Sequence, residues 1–265
     1  MEEEILYTID DQHIARLTLN RPHVHNAFNN EMVEKLTECF KELQDTPSVR
    51  ALVIQGNGKS FCAGADLSWI EQSFQKSSAD SFKNARNLSQ MLYVLNNVSI
   101  PTLTYLHGSV MGGGVGIAAC SDIVLSDSKT ILSFPETNLG IAPAIISPYI
   151  LRAIGPRYVR RYFLTGESFT AKDAHHMGLV HQIIESDNRD AEIETVISNI
   201  LEGGPHAVIK TKQLIGKLTG EIDEKTRLMT IELIDSLCHS EEAQQRVAAF
   251  LKNKTSLRES QADQL

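Results

Sequence analysis

The sequence predicts an α/β fold with a helical C-terminal region, and three observations lead to this prediction. A chain of 265 residues, 42% of them apolar, is long enough to bury a full hydrophobic core. Short β-type segments alternate with helical patterns through most of the chain. After Asp190 long helical patterns dominate. We therefore predict a core over residues 1–200 and a helical region over residues 201–265.

The N-terminal elements follow in order from their hydrophobic periodicity. Alternating apolar residues predict a hairpin formed by Ile5–Ile9 and His13–Leu19. Apolar side chains at helical spacing between Met32 and Leu43 predict a helix, and Ala51–Ile54 then supplies a short strand. The result is one strand–helix–strand unit.

A second unit resembles the first. We predict a helix over residues 79–96, a strand over Thr102–Leu106, a helix through Ile117–Cys120 and a strand over Ile123–Ser126. Two further β segments are predicted, at residues 131–133 and 179–184. Three C-terminal helical patterns complete the chain, at Ala207–Leu218, Glu224–Leu237 and Glu241–Leu251. The middle one has a wide apolar surface that is expected to pack on the core or on another subunit.

Composition excludes several function classes. The formal net charge of −8 and the pI of about 5.6 argue against a nucleic-acid surface, because phosphate binding requires clustered Lys and Arg. The longest apolar runs are interrupted by Pro143, Pro148 and Arg152, so none reaches the roughly 20 residues of a membrane span. The acidic start of the chain has neither secretory nor transit character. These features predict a cytoplasmic protein without membrane or nucleic-acid partners.

The four cysteines are widely spaced, and they form neither a CxxC pair nor a disulfide-dense pattern. This spacing predicts reduced, mostly buried thiols and no metal site. The cysteines are Cys39, Cys62, Cys120 and Cys238.

The first of two glycine-marked segments runs from Phe61 to Leu67. Its small residues follow a strand end and precede a helix-like stretch, and small side chains let a ligand approach the main chain closely. Taken alone, the segment is also compatible with a tight packing turn in which Asp66 caps the next helix.

The second glycine-marked segment runs from Gly108 to Gly116, after a strand and into a helix of small residues. Its three successive glycines, residues 112–114, expose backbone N–H groups at a helix N-terminus, where the helix dipole favours developing negative charge. One amide from each segment would form an oxyanion hole. The two segments together therefore predict a site that stabilises an oxyanion.

The second segment also fits a dinucleotide-binding pattern. Gly114–Ala119 matches G-x-G-x-x-A, and Glu136 follows at about the distance of a ribose-binding acid. However, the strand ends near Leu106, whereas this fingerprint should follow its strand directly. An NAD-binding oxidoreductase stays an open alternative.

Five motifs, taken with their order and spacing, resemble those of one enzyme family. They are Leu19–Pro22 with Asn26–Phe28, Phe61–Leu67, Gly108–Gly114, Cys120–Ile123 and Pro135–Gly140. Over nearly its whole length the chain is thereby similar to the enoyl-CoA hydratase/isomerase (crotonase) family. The resemblance implies the ClpP/crotonase-like fold, a spiral of ββα units with a C-terminal helical region for trimerisation. It also implies a homotrimer, or a hexamer built as a dimer of trimers.

The resemblance further implies an acyl-CoA thioester as substrate, with coenzyme A as part of the substrate and no separate cofactor. The main-chain N–H groups of Ala65 and Gly113 are expected to hold the thioester oxygen. Lys252 and Lys254 are candidates for the CoA phosphates, although a solvated helix end explains them better. The expected substrate- and CoA-binding residues are His23, His25, Ala27, Ala63, Ala65, Asp66, Leu67, Gly112, Gly116 and Phe134.

Glu136 is the predicted acid–base residue. Proton transfer next to a thioester needs a base within reach and an acceptor for the enolate oxygen. Family hydratases usually carry two glutamates, and this chain keeps the second as Glu136 but has Gly116 at the first position. An apolar pocket containing Phe134, Ile141 and Trp69 is expected to raise the pKa of Glu136 by desolvation.

Gly116 leaves two reactions open. A single glutamate resembles the Δ3,Δ2-enoyl-CoA isomerases, where one carboxylate carries a proton between Cα and Cγ. The continuation Gly140–Pro148 instead resembles methylglutaconyl-CoA-type hydratases, whose first position is also glycine, and it favours reversible hydration of a 2-enoyl-CoA. A catalytically silent crotonase-like scaffold that binds partners is the alternative of another class.

Overall fold

The computed structural model describes residues 3–66, 69, 71 and 78–262, and its strands form two sheets. The strands are β1 (Ile5–Ile9), β2 (Ile14–Leu19), β3 (Ala51–Gly56), β4 (Thr102–Leu106), β5 (Ser109–Met111), β6 (Ile123–Asp127), β7 (Ile131–Ser133), β8 (Ser168–Thr170) and β9 (Gln182–Ile184). The larger sheet has the order β1-β2-β3-β4-β6-β9, and the smaller has the order β5-β7-β8.

The predicted N-terminal hairpin is confirmed, because β1 and β2 pair antiparallel with Ile5 opposite Leu19. Every other neighbouring pair in the larger sheet is parallel. The predicted strand at 179–184 is shorter than expected and begins at Gln182. The Leu179 N–H donates to the Ala174 carbonyl at 2.9 Å, so the first residues of that segment close the preceding helix instead of pairing in the sheet.

The helices are α1 (Asn30–Gln44), α2 (Ser78–Asn96), α3 (Gly113–Cys120), α4 (Ser147–Thr165), α5 (Ala171–Met177), α6 (Arg189–Glu202), α7 (Pro205–Thr219), α8 (Glu224–Cys238) and α9 (Glu241–Ala262). Several begin at a capping side chain. In α1, the Asn29 side chain accepts a hydrogen bond from the Met32 N–H, which satisfies one of the free donors of the first turn. None of the described helices combines the length and apolar character that crossing a membrane requires.

The larger sheet is covered on both faces, as the alternation of side chains along β3 shows. Leu52 and Ile54 point into the main hydrophobic core with α1 and α2. Ala51 and Val53 point to the opposite face, where they belong to a second apolar cluster with Ile193 and other residues of α6. Parallel sheets are typically buried in this way on both sides.

The C-terminal helices fold back onto the core of the same chain. In α8, the Arg227 guanidinium lies 4.3 Å from the centre of the Tyr93 ring and donates to Gln90 at 2.8 Å, which fixes α8 on α2. In α9, the main chain of Ala243 lies so close to Gly140 that an added Cβ would come within 2.8 Å of it. The division into residues 1–200 and 201–265 stays a prediction.

Candidate active site

A cavity of about 1320 Å³ lies where the two glycine-marked segments meet. Its wall includes Ala63 and Ala65 of the first segment, Gly112 and Gly113 of the second, and the side chain of Glu136. Residues that are far apart in the sequence therefore share one concave site, which is the usual setting of a small-molecule site.

The first glycine-marked segment is held by the chain around Phe28. The Phe28 N–H donates to the Gly64 carbonyl, and the Asp66 N–H donates to the Phe28 carbonyl, both at 2.8 Å. This parallel bridge leaves the Ala65 N–H without an acceptor among the described residues. Because backbone donors are normally paired when they are buried, this N–H is available to a ligand oxygen.

The second segment turns into α3 through a glycine with positive φ. Gly112 has a φ of +49°, which favours glycine, and its N–H donates to the Ser133 carbonyl at 3.1 Å. Gly113 is the first residue of α3, and within the described residues its N–H also has no acceptor. The dipole of α3 adds partial positive charge at this end of the helix.

Phe28 joins the two segments, a role that its place in the Asn26–Phe28 motif did not reveal. Its backbone pairs with Ala65, and its ring packs against Gly113 so closely that a Cβ there would lie 2.7 Å from Cε2. Phe28 is 1% exposed. One buried residue thus supports both unpaired amides, which is the rigidity that a preformed oxyanion site needs.

Arg21 ties the N-terminal motif to the first segment. Its guanidinium donates to Asp66 Oδ2 at 3.0 Å and to the Ala27 carbonyl, and it also lies 3.4 Å from Glu4 Oε1. Both Arg21 and Asp66 are largely buried. The sequence indicated the motif but not this ion pair across 45 residues of chain.

Three further residues that the resemblance implied for CoA, His23, His25 and Ala27, lie in the wall of the cavity. His25 has a φ of +55°, and its carbonyl accepts from the Ala63 N–H at 2.9 Å. The loop and the first glycine-marked segment therefore form one continuous rim. Leu67, also implied for CoA binding, lies outside the described residues.

Glu136 lies in a 3₁₀ turn, Pro135–Leu139, which Gly140 ends with a φ of +76°. Its Oε1 lies so close to Gly112 that an added Cβ there would be 2.7 Å away. The side chain as a whole is partly exposed to the cavity, but Oε2 is buried and has no hydrogen-bond partner among the described residues. Burial raises the pKa of Glu136 to about 7, partly opposed by a backbone hydrogen bond, as the desolvation argument predicted.

Two residues expected to contact substrate lie elsewhere, and both predictions are corrected. Gly116 is buried in α3, where a Cβ would meet Ile146 Cγ2 at 2.7 Å and Leu92 Cδ1 at 3.4 Å. Phe134 is fully buried, and its ring packs edge-on against Phe163 at 4.7 Å. Neither lines the cavity, because tight packing on both leaves no path to it.

The same packing argues against the dinucleotide-binding alternative. Gly114 and Gly116 lie inside α3, where an added Cβ on Gly114 would be 2.9 Å from the Cys62 side chain. A dinucleotide fingerprint needs glycines that its pyrophosphate can approach. These glycines instead let α3 pack closely on its neighbours.

The rest of the wall is mostly apolar and includes residues that sequence reasoning missed. Ala85 and Leu88 of α2 lie on one side, and residues 141–146 lie on another. The C-terminal helices of the same chain supply a third side, through Ile234 and Phe250 among others. Hydrophobic spacing predicted these helices, but no local sequence pattern predicted that they line the cavity.

Cationic residues are scarce around the cavity. Among its described wall residues there is no Lys or Arg. Lys252 is exposed on α9, and the side chain of Lys254 lies outside the described part of the chain. Across the described residues, no group of three His, Cys, Asp or Glu side chains is placed to hold a metal ion.

Comparison with known proteins finds related sequences and structures. The family model described as enoyl-CoA hydratase/isomerase matches residues 10–259. A solved enoyl-CoA hydratase from Shewanella pealeana ATCC 700345 is 32% identical, with 95% of this chain and 94% of that chain covered and a TM-score of 0.79. The crotonyl-CoA hydratase of Syntrophomonas wolfei is 28% identical over 92% of this chain and 94% of its own. The trans-2-decenoyl-[acyl-carrier-protein] isomerase of Streptococcus mutans is 26% identical over 95% and 96%.

Proposed function

The chain belongs to the enoyl-CoA hydratase/isomerase family and has the crotonase fold, and from this premise we propose that it adds water reversibly to a 2-enoyl-CoA thioester. One observation carries the proposal. The carboxylate of Glu136, whose Oε2 is buried, lies against the turn that leads to the Gly113 N–H, and the N–H groups of Gly113 and Ala65 have no acceptor among the described residues.

The two amides act on the thioester oxygen. When a nucleophile adds to Cβ, the electron pair of the double bond moves toward the thioester carbonyl and forms an enolate. Hydrogen bonds from Ala65 and Gly113 stabilise that negative charge more than the neutral carbonyl, which lowers the barrier. In comparable sites, the removal of one preformed donor raises the activation free energy by about 3 kcal/mol.

Glu136 moves the proton. In its ionised form the carboxylate accepts a proton from water while the water oxygen bonds to Cβ, and it then returns that proton to Cα of the enolate. The carboxylate is regenerated and the product gains one water molecule. A pKa of about 7 suits both halves of this exchange, because the group loses and gains a proton with similar ease near neutral pH.

Isomerisation is a second candidate, and the packing around Gly116 favours it. Ile146 and Leu92 fill the space beside Gly116, so no second carboxylate is present there to share the activation of water. The same Glu136 would take a proton from Cα of a 3-enoyl thioester and return it to Cγ. The similarity to the Streptococcus mutans isomerase supports this alternative.

Branched acyl groups are the proposed substrates, with a methyl branch like that of methylglutaconyl-CoA; the terminal carboxylate of that molecule has no Lys or Arg partner among the described wall residues. The wall segment over residues 141–146 is apolar and includes three consecutive short side chains, Ala142, Pro143 and Ala144. Short side chains leave room for a branch close to Cβ. The motif Gly140–Pro148 supports the same substrate class by resemblance.

The experiment uses the purified protein with crotonyl-CoA, 3-methylglutaconyl-CoA and a 3-enoyl-CoA, followed at the absorbance band of the conjugated thioester. Hydration predicts a loss of this absorbance with one or both 2-enoyl substrates. A gain of absorbance from the 3-enoyl substrate alone would replace the hydratase with the isomerase. If none of the three is turned over, the alternative of a catalytically silent scaffold would be favoured.

The proposed assembly is a homotrimer, or a hexamer of two trimers, in the cytoplasm. Large apolar side chains are exposed on α7 and α8, with Leu218 at 78% and Met229 at 60%, and such surfaces are typical of subunit contacts. The four cysteines are free thiols, which supports a reducing compartment. Light scattering of the protein and of Leu218→Asp tests the assembly, and a monomeric wild type would contradict it.

A further inference from the structure

One face of α2 that lines the cavity changes from apolar to polar along the helix. Leu88 and Ala85 are followed, toward the N-terminus, by Asn84 and Ser81. These positions lie three, four and seven residues apart and therefore share a face. The cavity thus has a polar end beside the N-terminal half of α2.

The polar end lies about two turns along α2 from Leu92, the point where α2 packs on α3 near Gly113. Leu92, on the same stripe of α2, is 3.4 Å from where a Cβ on Gly116 would stand. Asn84 is eight residues earlier, which is about 12 Å along the helix at a rise of about 1.5 Å per residue. A group bound by Asn84 would therefore belong to the distal part of an acyl chain, not to the thioester.

Asn84 itself carries the clearest sign of an absent partner. The residue is 8% exposed, and its Nδ2 is buried without a hydrogen-bond partner in the described part of the chain. An unpaired buried donor is unfavourable, so such a group in a native structure needs an explanation. Because Asn84 lines the cavity, a hydrogen-bond acceptor on a bound ligand would be the missing partner of Nδ2.

The same cavity has a hydrogen-bond acceptor on α8. Asp235 of α8 lines the cavity together with Asn84. Helix α8 packs on α2 through the hydrogen bond from Arg227 to Gln90. Asp235 Oδ1 is also 3.7 Å from His239 Nδ1.

The charge of the wall limits what the ligand can be. No described wall residue is Lys or Arg, while the acids Asp66, Glu71, Glu136 and Asp235 all contribute to it. A second carboxylate on the acyl group would lose its hydration without gaining a cationic partner, which is unfavourable. A neutral group that both accepts and donates a hydrogen bond fits better.

We infer that the acyl pocket selects 2-enoyl-CoA thioesters with a hydroxyl group on the distal part of the acyl chain. The Asn84 amide donates to the hydroxyl oxygen, and Asp235 accepts the hydroxyl hydrogen. This inference rests on the proposed function for the thioester, but it concerns binding and is therefore tested without turnover.

The test is calorimetric binding of saturated thioesters, which lack the double bond and do not react. Hexanoyl-CoA, 6-hydroxyhexanoyl-CoA and adipoyl-CoA differ only at the chain end, and eight- and ten-carbon sets cover the pocket length. At the chain length that places the hydroxyl beside Asn84, the hydroxyl ligand is expected to bind about tenfold more tightly than the methyl ligand. This ratio is at the upper end of what one hydrogen bond contributes to affinity. The carboxylate ligand is expected to bind most weakly.

Asn84→Leu should abolish the preference for the hydroxyl while keeping a side chain of similar size. Its melting temperature should not fall, because the change removes an unpaired buried donor. Asn87→Leu is the matched control on the same helix, since Asn87 does not line the cavity, and it should keep the preference. Retained preference in Asn84→Leu would overturn the inference.

Three outcomes separate this inference from the proposed function. Equal binding of methyl and hydroxyl ligands at every length, or tightest binding of the carboxylate, overturns the inference alone. Selective hydroxyl binding without turnover of any enoyl thioester overturns only the proposed function. Failure of all the thioesters to bind overturns both.

Discussion

The two positions where a family hydratase carries a glutamate differ sharply in this protein. At Glu136 a carboxylate is buried beside the cavity, with Oε1 against Gly112 and Oε2 without a partner among the described residues. At Gly116 there is no side chain, and Ile146 occupies the space that one would need. One position holds a carboxylate beside the cavity, and the other is filled by packing.

This difference means that only one of the two glutamate positions of a family hydratase carries a carboxylate here. The lost glutamate at Gly116 has not left a water-filled gap that another acid could enter, because Ile146 and Leu92 contact the site directly. Whether one carboxylate adds water or moves a double bond then depends on what else occupies the cavity.

The largest expected effect is on Glu136 itself. Glu136→Gln removes the proton carrier with little change in size, so kcat should fall by about 10³-fold, within the range for general acid–base catalysis. Binding of a saturated acyl-CoA should change less than about threefold. Steady-state kinetics and calorimetry measure the two quantities.

A matched control for this variant is Glu38→Gln, since Glu38 is exposed on α1 away from the cavity. It should retain wild-type kcat. If Glu136→Gln kept more than a tenth of the activity, the acid–base role would belong to another residue.

The raised pKa of Glu136 predicts two opposite pH dependences. Because the ionised form accepts the proton from water, kcat/KM for hydration should rise with pH and level off above about 7. Stability should move the other way. The folded state holds this proton more tightly than the unfolded chain, whose ordinary value is 4.5, so stability from this group is present below pH 4.5 and is lost as pH rises to about 7.

The size of the stability effect follows from the two pKa values. Their difference corresponds to about 3 kcal/mol, at 1.36 kcal/mol per unit. The free energy of unfolding of Glu136→Gln, relative to wild type, should therefore increase by about 3 kcal/mol between pH 4.5 and 8. Urea titrations at both pH values measure it, and a constant difference would mean that Glu136 is solvated like a surface acid.

Gly112→Ala tests the contact between the second segment and the carboxylate. The new Cβ would stand 2.7 Å from Glu136 Oε1, so it must displace the carboxylate. A displacement near 1 Å is expected to lower kcat/KM by about 100-fold. Gly220→Ala is the control for backbone strain, because Gly220 also has positive φ (+79°) but has nothing within 4 Å of its Cβ position. Equal activity in both variants would contradict the prediction that contact between the new Cβ and Glu136 lowers the activity.

The smallest effect concerns the sealed position. Gly116→Ala places a Cβ 2.7 Å from Ile146 Cγ2, and this overpacking should lower the free energy of unfolding by about 1–2 kcal/mol although alanine favours helices. Gly216→Ala in α7, where nothing lies within 4 Å, should instead be neutral or stabilising. The double variant Gly116→Ala/Ile146→Ala should lose less stability than the sum of the single variants. Additive losses would show that the two positions do not press on each other.

Regular elements were the most predictable part of the fold. The helix between Met32 and Leu43 and the strand Thr102–Leu106 lie where their periodicity placed them, because a buried face imposes its spacing on the sequence. Leu179 and Val180 were predicted as strand, but their N–H groups donate to the Ala174 carbonyl and close α5. Periodicity reports which residues are buried, and it cannot say whether the chain there pairs with a strand or ends a helix.

The candidate site was predictable in part. Small residues in the two glycine-marked segments indicated exposed amides, since a close approach to the backbone leaves a local trace in composition. The family resemblance pointed to Ala65, Gly113 and Glu136, and all three line the cavity. Phe134 has no such trace, and its burial among aromatic rings depends on where the smaller sheet meets α4. The same is true of Arg21, whose ion pair to Asp66 joins two distant segments.

The sequence by itself determined the elements, the two glycine-marked segments and the single glutamate, because each leaves a local pattern in residue type and spacing. Only the tertiary structure decided that Ile146 closes the space beside Gly116, that Phe134 is packed away from the cavity, and that the C-terminal helices complete it. Those properties depend on which distant side chains come into contact, and packing of the whole chain fixes such contacts.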